Sequence, residues 1–368
     1  MSSISTKQPT ANKGKSRIQS LQALRALAFA GVFFTHRECL PAGRWGVSVF
    51  LILSGFLMMY SYYKKDLPDN LFFSAKFSLK KIWKLYILHA LLTWLLIPYC
   101  WGDTLSWPPE MIVDSPKEKL VVNLLLLQSW YPRWTMFFSF NGASWYLSTS
   151  LFIYFCFPKI LKILKKQKSE ISPYLCIAIV YILQFVIGYY TSVVHYTMRH
   201  TNDLALWVTY IFPPYRLGDF IIGCNLCKIY LNNNRKESLN NKIYTLYEII
   251  TLAVVAVSLY IFIYPFSFIP SNWYIHTIMF TPSSIRIVYL FAKKAGLITK
   301  LLTNKFMIFI GNISPYGFLI HNAVIIILKT TSMYSDKTLF VSVALLLTVT
   351  LSSVCLLSDR LLKKLIHK

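Results

Sequence analysis

Two ionisable residues interrupt an apolar segment near the start of the chain. Arg25 lies within Leu-Arg-Ala-Leu-Ala, and His36 follows Phe-Thr. Because a helix turns about 100° per residue, residues 11 positions apart project from the same helix face and lie about 16 Å apart along the axis. Charged groups are costly in lipid and indicate a functional interior. An imidazole suits general-base catalysis, and a guanidinium suits stabilisation of negative charge. A loop-bonded interfacial histidine and a snorkelling arginine are the structural alternatives.

Other polar side chains lie in or beside apolar segments and could line the same interior. Arg216 and Asp219 are three residues apart and can pair on a helix surface, which is also a common structural feature. The small pair Ser54 and Gly55 equally favours close helix packing. His321 is deep enough to line a cavity, although packing alone would also explain it. The cavity candidates are Ser54, Ser144, Trp145, Arg216, Asp219, Ser314 and His321.

The composition indicates the class of protein in which these residues lie. Of 368 residues, 55% are hydrophobic and only 14% are charged, and the mean hydropathy is +0.50. Soluble domains usually carry about 25% charged residues, so a soluble multidomain protein is excluded, and so is a disordered chain. We predict an all-α polytopic integral membrane protein.

About ten apolar stretches are long enough to cross a bilayer, which requires about 20 residues each. Pro213 and Pro214 interrupt the sixth, where a re-entrant piece followed by a shorter helix also fits. Leu120–Trp130 is too short to cross and is predicted to be interfacial or packed in the large loop 102–143. The predicted spans are 18–37, 45–63, 83–101, 144–164, 173–194, 207–230, 244–265, 273–292, 306–328 and 338–358.

The net charge of +24 is explained by topology, and no nucleic-acid partner is predicted. Most of the 38 lysines and arginines fall on segments that share one side with the N-terminus, so the positive-inside rule predicts both termini in the cytoplasm. The expected organisation is a basic cytoplasmic tail at 1–17, a membrane domain at 18–358 and a cytoplasmic tail at 359–368.

The seven cysteines are odd in number and scattered, which argues against a disulfide framework. Cys224 and Cys227 have metal-ligand spacing but lack a second ligand pair. We therefore interpret them as a buried helix face and predict no metal site.

Five motifs, in order over residues 18–358, resemble acyltransferase family 3. This family comprises bacterial integral-membrane O-acyltransferases that modify sugars of lipopolysaccharide, capsule and exopolysaccharide. The motifs are Arg25-Ala26 with His36; Gly46-Val47, Phe50 and Ser54-Gly55-Phe56; the basic stretch Lys80-Lys81-Ile82-Trp83-Lys84; Ser144-Trp145, Leu147-Ser148, Tyr154 and Phe157-Pro158; and Gly311, Ile313-Ser314, Tyr316 and Ile320-His321.

The resemblance implies that His36 is catalytic and Arg25 essential, and that Lys81 and Lys84 bind the acyl-CoA donor. The family usually has arginine at both donor positions, and lysine lacks the bidentate fork for phosphate. Many members also have carboxylates where Ser48 and Ser150 stand here. A carboxylate that assists the histidine would then come from Glu38 or Asp219.

The expected function is transfer of an acyl group, most simply acetyl, from acetyl-CoA to a hydroxyl of a cell-surface or lipid-linked carbohydrate. The expected location is the bacterial plasma (inner) membrane, with the lipid bilayer, acyl-CoA and the carbohydrate as partners and no permanently bound cofactor. The alternative is a transporter or flippase of a lipid-linked sugar, which intramembrane charges also suit. The lack of an internal repeat favours the enzyme, and a purely structural scaffold would leave the Arg25 and His36 face unexplained.

Overall fold

A computed structural model describes residues 18–36, 39–101, 114–191, 203–233, 240–264 and 278–366. All regular secondary structure in these ranges is helical, and twelve of the helices have six or more residues. In chain order they are α1 (Ser20–Thr35), α2 (Gly43–Tyr62), α3 (Leu71–Cys100), α4 (Pro116–Leu124), α5 (Trp145–Lys166), α6 (Ser172–Tyr189), α7 (Pro213–Asn233), α8 (Asn241–Ile263), α9 (Thr281–Lys293), α10 (Leu297–Leu302), α11 (Lys305–Lys329) and α12 (Lys337–Ile366).

Seven of these helices are long and apolar enough to cross a membrane: α2, α3, α5, α6, α8, α11 and α12. The prediction of an all-helical, multi-pass membrane protein is confirmed in this form. Helix α1 is apolar but has only 16 residues. The count of ten spans and the cytoplasmic placement of both termini stay predictions.

Two helix boundaries differ from those expected. Helix α3 begins at Leu71, not near residue 83, because Asn70 caps it and accepts a hydrogen bond from the Phe73 amide at 2.8 Å. The basic stretch 80–84, which the predicted span included only from residue 83, lies wholly inside this helix, since lysine is a good helix former. Helix α12 likewise continues past residue 358 to Ile366.

The sixth predicted span is divided in two. A five-residue π-helical turn covers Trp207–Ile211, and α7 begins at Pro213, where a proline ring fits the first turn of a helix. Helix α7 is buried over most of its length although it carries several polar side chains. The eighth predicted span starts outside the described residues, and α9 has 13 residues.

Helix α2 is central and packs most extensively against α7, then α1 and α9. The α2–α7 contact depends on glycine: a Cβ on Gly55 would collide with the Phe220 carbonyl, and one on Gly223 with the Ile52 carbonyl. Helices α1 and α11 approach as closely, since a Cβ on Gly311 would meet the Gln22 carbonyl. This packing directs the polar residues of α1 and α11 into one interior.

The described part of loop 102–143 is folded, as the sequence predicted. Asn123, in α4, donates hydrogen bonds to the Lys119 carbonyl at 2.9 Å and to Ser139 Oγ at 2.6 Å. His89 of α3 bonds the Asn123 carbonyl at 3.0 Å. These buried polar contacts join α4 to α3 and to the segment before α5.

Candidate active site

Two histidines from opposite ends of the chain meet inside the helix bundle. His36 follows the last residue of α1, and His321 lies within α11. Their Nε2 atoms are 3.2 Å apart, within hydrogen-bond distance. His321 is 1% exposed and is bordered by Phe29, Phe33 and Phe318. The pair is thus a polar contact held in an aromatic surrounding.

The partners of His321 determine the direction of this hydrogen bond. Its Nδ1 lies 3.1 Å from the Gly317 carbonyl, which can only accept, so Nδ1 carries the hydrogen. In the neutral ring, Nε2 of His321 is then an acceptor, and it accepts from Nε2–H of His36. The unprotonated nitrogen of a neutral His36 is therefore Nδ1. This arrangement leaves His36 with a defined basic atom.

The two histidines line a cavity of about 480 Å³, which we name the histidine cavity. Residues from α1, α2, α11 and the loop before α5 form its walls. The polar and aromatic members are Thr35, His36, Arg44, Trp134, Phe138, Phe140, Trp145, Tyr210, Phe318, His321, Asn322 and Lys329. Two indoles beside hydrogen-bonding groups suit a ligand that has both apolar faces and hydroxyls.

A second, narrower cavity of about 200 Å³ contains Arg25, and we name it the arginine cavity. Lys81 lines it as well, with its Nζ 4.6 Å from the centre of the Tyr62 ring. Ser54, which bonds the Tyr154 hydroxyl at 3.0 Å, and Ser314 complete its polar wall. Two cations and several hydroxyls make this cavity suitable for an anionic, elongated ligand.

Phe318 separates the two cavities and lines both. Its ring lies 5.0 Å from the ring of Tyr146 and 5.9 Å from that of Phe50, and 5.9 Å from the imidazole of His321. Arg25 and His36, which the sequence placed on one helix face, therefore reach two adjoining cavities. Among the described residues, Phe318 is the one that lines both cavities.

Two predicted site residues, Lys84 and Ser144, lie outside both cavities. Lys84 forms an ion pair with Asp359 of α12 and lines neither cavity. Ser144 accepts a hydrogen bond from Gln128 at 3.1 Å, within the buried contacts that hold the loop. Trp145 does line the histidine cavity.

The predicted pair of Arg216 and Asp219 forms, with 3.0 Å between Nη1 and Oδ2, and both residues are fully buried. The pair lies behind the cavities rather than in them, and Arg216 faces the ring of Tyr210 at 5.9 Å. Of the two serines that replace family carboxylates, Ser150 lines the arginine cavity and Ser48 is buried in α2. Glu38 lies outside the described residues.

Several cavity residues carried no signal in the sequence that singled them out. Arg44 and Lys329 stand at helix ends, where positive charge is common in membrane proteins. Tyr146 and Phe318 are aromatic residues in apolar helices, where many such residues occur. Only the packing of the helices in the folded structure shows that these four residues border the two cavities.

Comparison with known proteins agrees with this geometry. The acyltransferase domain family matches residues 18–357, nearly the whole chain. The chain belongs to this acyltransferase family. A curated relative, acyltransferase MdmB from Streptomyces mycarofaciens, is 28% identical over 226 residues, which cover 56% of each chain. No solved structure matches. The two cavities are the candidate active site of this member of the acyltransferase family.

Proposed function

We propose that this acyltransferase transfers an acetyl group from acetyl-CoA to a hydroxyl of a cell-surface or lipid-linked carbohydrate. The observation that carries the proposal is the contact between His36 and His321 in a cavity that also holds two tryptophans. A histidine with one defined basic nitrogen suits activation of a hydroxyl. Indole faces suit the C–H faces of a sugar ring.

In the reaction, His36 acts as general base toward the acceptor hydroxyl. Nδ1 takes the hydroxyl proton while the oxygen attacks the thioester carbonyl carbon; the C–S bond then breaks. The departing CoA thiolate receives that proton from His36, so the products are the ester and free CoA. In the alternative mechanism, His36 itself attacks the thioester and forms a transient acyl-imidazole, from which the acceptor hydroxyl takes the acyl group.

His321 serves as the positioning residue for this base. Its Nε2 accepts from Nε2–H of His36 and keeps that hydrogen bond while Nδ1 gains a proton. A carboxylate often has this role in other enzymes. Asp219 pairs with Arg216 and borders neither cavity, so a second imidazole is the acceptor available to His36 among the described residues.

The arginine cavity is the proposed site of the donor's acyl-pantetheine end. Arg25 would stabilise the developing oxyanion or hold the amide groups of the donor. Lys81, at the same cavity, would attract the phosphates of CoA. The acyl group would then reach His36 past Phe318, where both cavities meet.

We further propose a bacterial plasma-membrane location with both termini in the cytoplasm. The grouping of basic residues on one side supports this orientation. The donor would then enter from the cytoplasm, and the acceptor would approach the opposite face.

The test is the release of free CoA thiol and the acylation of envelope glycans by cells and by purified protein. We expect His36→Ala to abolish both at an unchanged protein level. We expect Arg25→Lys to lose about 10²-fold in rate, since lysine keeps the charge but not the planar fork. The matched control is Arg286→Lys, whose guanidinium stacks on Tyr247 outside both cavities. Full activity of His36→Ala would contradict the proposed mechanism.

A further inference from the structure

Arg44 is a cation at the histidine cavity, and no carboxylate among the described residues forms an ion pair with it. It is the second residue of α2, and its guanidinium carbon lies 5.0 Å from the Phe262 ring and 5.8 Å from the Tyr210 ring. No ion pair joins it to any residue in the described ranges. Aromatic faces on two sides hold the guanidinium in place, while its N–H donors stay suited to an anion.

A second cation borders the same cavity from another helix, α11. Lys329 is the last residue of α11 and makes no ion pair within the described residues. None of the described residues lining the histidine cavity is an aspartate or a glutamate. A cleft whose charged groups all have one sign concentrates ligands of the opposite sign.

We propose that the acceptor carries a negative charge, a carboxylate or a phosphate, and that Arg44 and Lys329 bind it while His36 activates a nearby hydroxyl. This inference rests on the proposed function and names its acceptor class: an acidic sugar or a sugar phosphate. The cavity of about 480 Å³ places the cations and the catalytic base within one sugar unit or its direct neighbour. A neutral sugar would offer neither Arg44 nor Lys329 an anionic group to bind.

The donor has its own cations elsewhere, which argues against CoA phosphates as the anion. Arg25 and Lys81 border the arginine cavity, on the other side of Phe318. The two cavities therefore have separate pairs of cations. Two anionic substrates that react with each other would need a separate pair of cations each.

The first experiment identifies the acceptor. Envelope glycans are compared by tandem mass spectrometry between a strain that lacks the gene and the same strain complemented with the wild-type chain or with His36→Ala. We expect the additional acyl group on an acidic or phosphorylated sugar, or on its direct neighbour. An acyl group on a neutral stretch would overturn the inference and leave the proposed function intact. No acyl difference at all would refute the proposed function.

The second experiment measures both substrates with purified protein in lipid nanodiscs. The probes are acetyl-CoA and the unacylated glycan extracted from the strain that lacks the gene. We expect Arg44→Gln with Lys329→Gln to raise KM for the glycan about tenfold or more, with KM for acetyl-CoA unchanged. That factor is about 1.4 kcal/mol. The matched control, Arg286→Gln, removes a guanidinium stacked at 5.0 Å on Tyr247 and should change neither KM.

Chemical editing of the glycan distinguishes the two anions and does not depend on any variant. Carbodiimide and borohydride convert carboxylates to alcohols, and mild hydrofluoric acid removes phosphates. We expect one of these treatments to raise the wild-type KM to the value of the double variant. If neither treatment changes KM, or if the double variant raises KM for acetyl-CoA instead, the inference is wrong.

Discussion

At the level of single side chains, the proposed acyl transfer depends on which nitrogen of His36 carries the hydrogen. The Gly317 carbonyl fixes the hydrogen of His321 on Nδ1, and His321 in turn fixes the hydrogen of His36 on Nε2. The basic atom of His36 follows from this chain of two hydrogen bonds. The sequence contained both histidines, but 285 positions separate them, and no spacing rule could have placed them in contact.

We expect His321→Ala to lower kcat about 10²-fold, a typical contribution of a positioned general base. His36 would then rotate and lose its tautomer preference, while the substrate contacts of the cavities would remain. KM for both substrates should change little. The measurement is steady-state thiol release in nanodiscs.

His321→Gln is the companion variant, because a side-chain amide oxygen can still accept a hydrogen bond from His36. It should recover a measurable part of the rate at the same melting temperature. If Ala and Gln variants were equally impaired and equally destabilised, His321 would have only a packing role.

At the level of elements, the sequence predicted helices better than helix ends. Apolar length indicated the candidate spanning helices, yet it predicted a third span from residue 83, within the basic stretch 80–84, although α3 begins at Leu71. The same stretch suggested two donor residues, whereas the helix turns Lys81 toward a cavity and Lys84 toward Asp359. Residues three apart on a helix differ by about 60° in direction, and only the neighbouring helices determine which direction is interior.

The contact between α2 and α7 makes a prediction about stability. Gly223→Ala would push a methyl group into the Ile52 carbonyl, and neither backbone can yield within two packed helices. We expect a loss of about 1–3 kcal/mol in the free energy of unfolding, seen as a lower melting temperature in detergent.

Gly142→Ala is the matched control for this test. A Cβ there has no neighbour closer than 3.6 Å, an ordinary contact distance, and it borders the histidine cavity without crossing a helix seam. Its melting temperature should stay close to that of the wild type. An equal melting temperature for both variants would mean that the α2–α7 seam can open to accept the methyl group.

At the scale of the whole molecule, two cavities share four helices and one aromatic residue, Phe318. Both cavities lie among α1, α2, α5 and α11. Helix α3 borders only the arginine cavity, whereas the loop before α5 and the turn before α7 border only the histidine cavity. Helix α11 contributes to both because Ser314, Phe318 and His321 follow one another at helical spacing. The sequence singled out Ser314 and His321 but not Phe318, whose ring contacts Phe50 of α2 and Tyr146 of α5.

If Phe318 divides the two cavities, its ring should keep water away from the thioester during acyl transfer. Removing the ring in Phe318→Ala would join the cavities and admit water to the thioester, since a closed site is what prevents hydrolysis of a reactive group. We expect CoA release per acylated glycan, near one in the wild type, to rise several-fold. Phe318→Leu retains most of the bulk and should stay near one. Both variants are compared at equal melting temperature, with thiol release and glycan acylation measured in the same reaction. A ratio that stays at one in Phe318→Ala, with transfer slowed, would instead make Phe318 a contact for the acyl group and not a barrier to water.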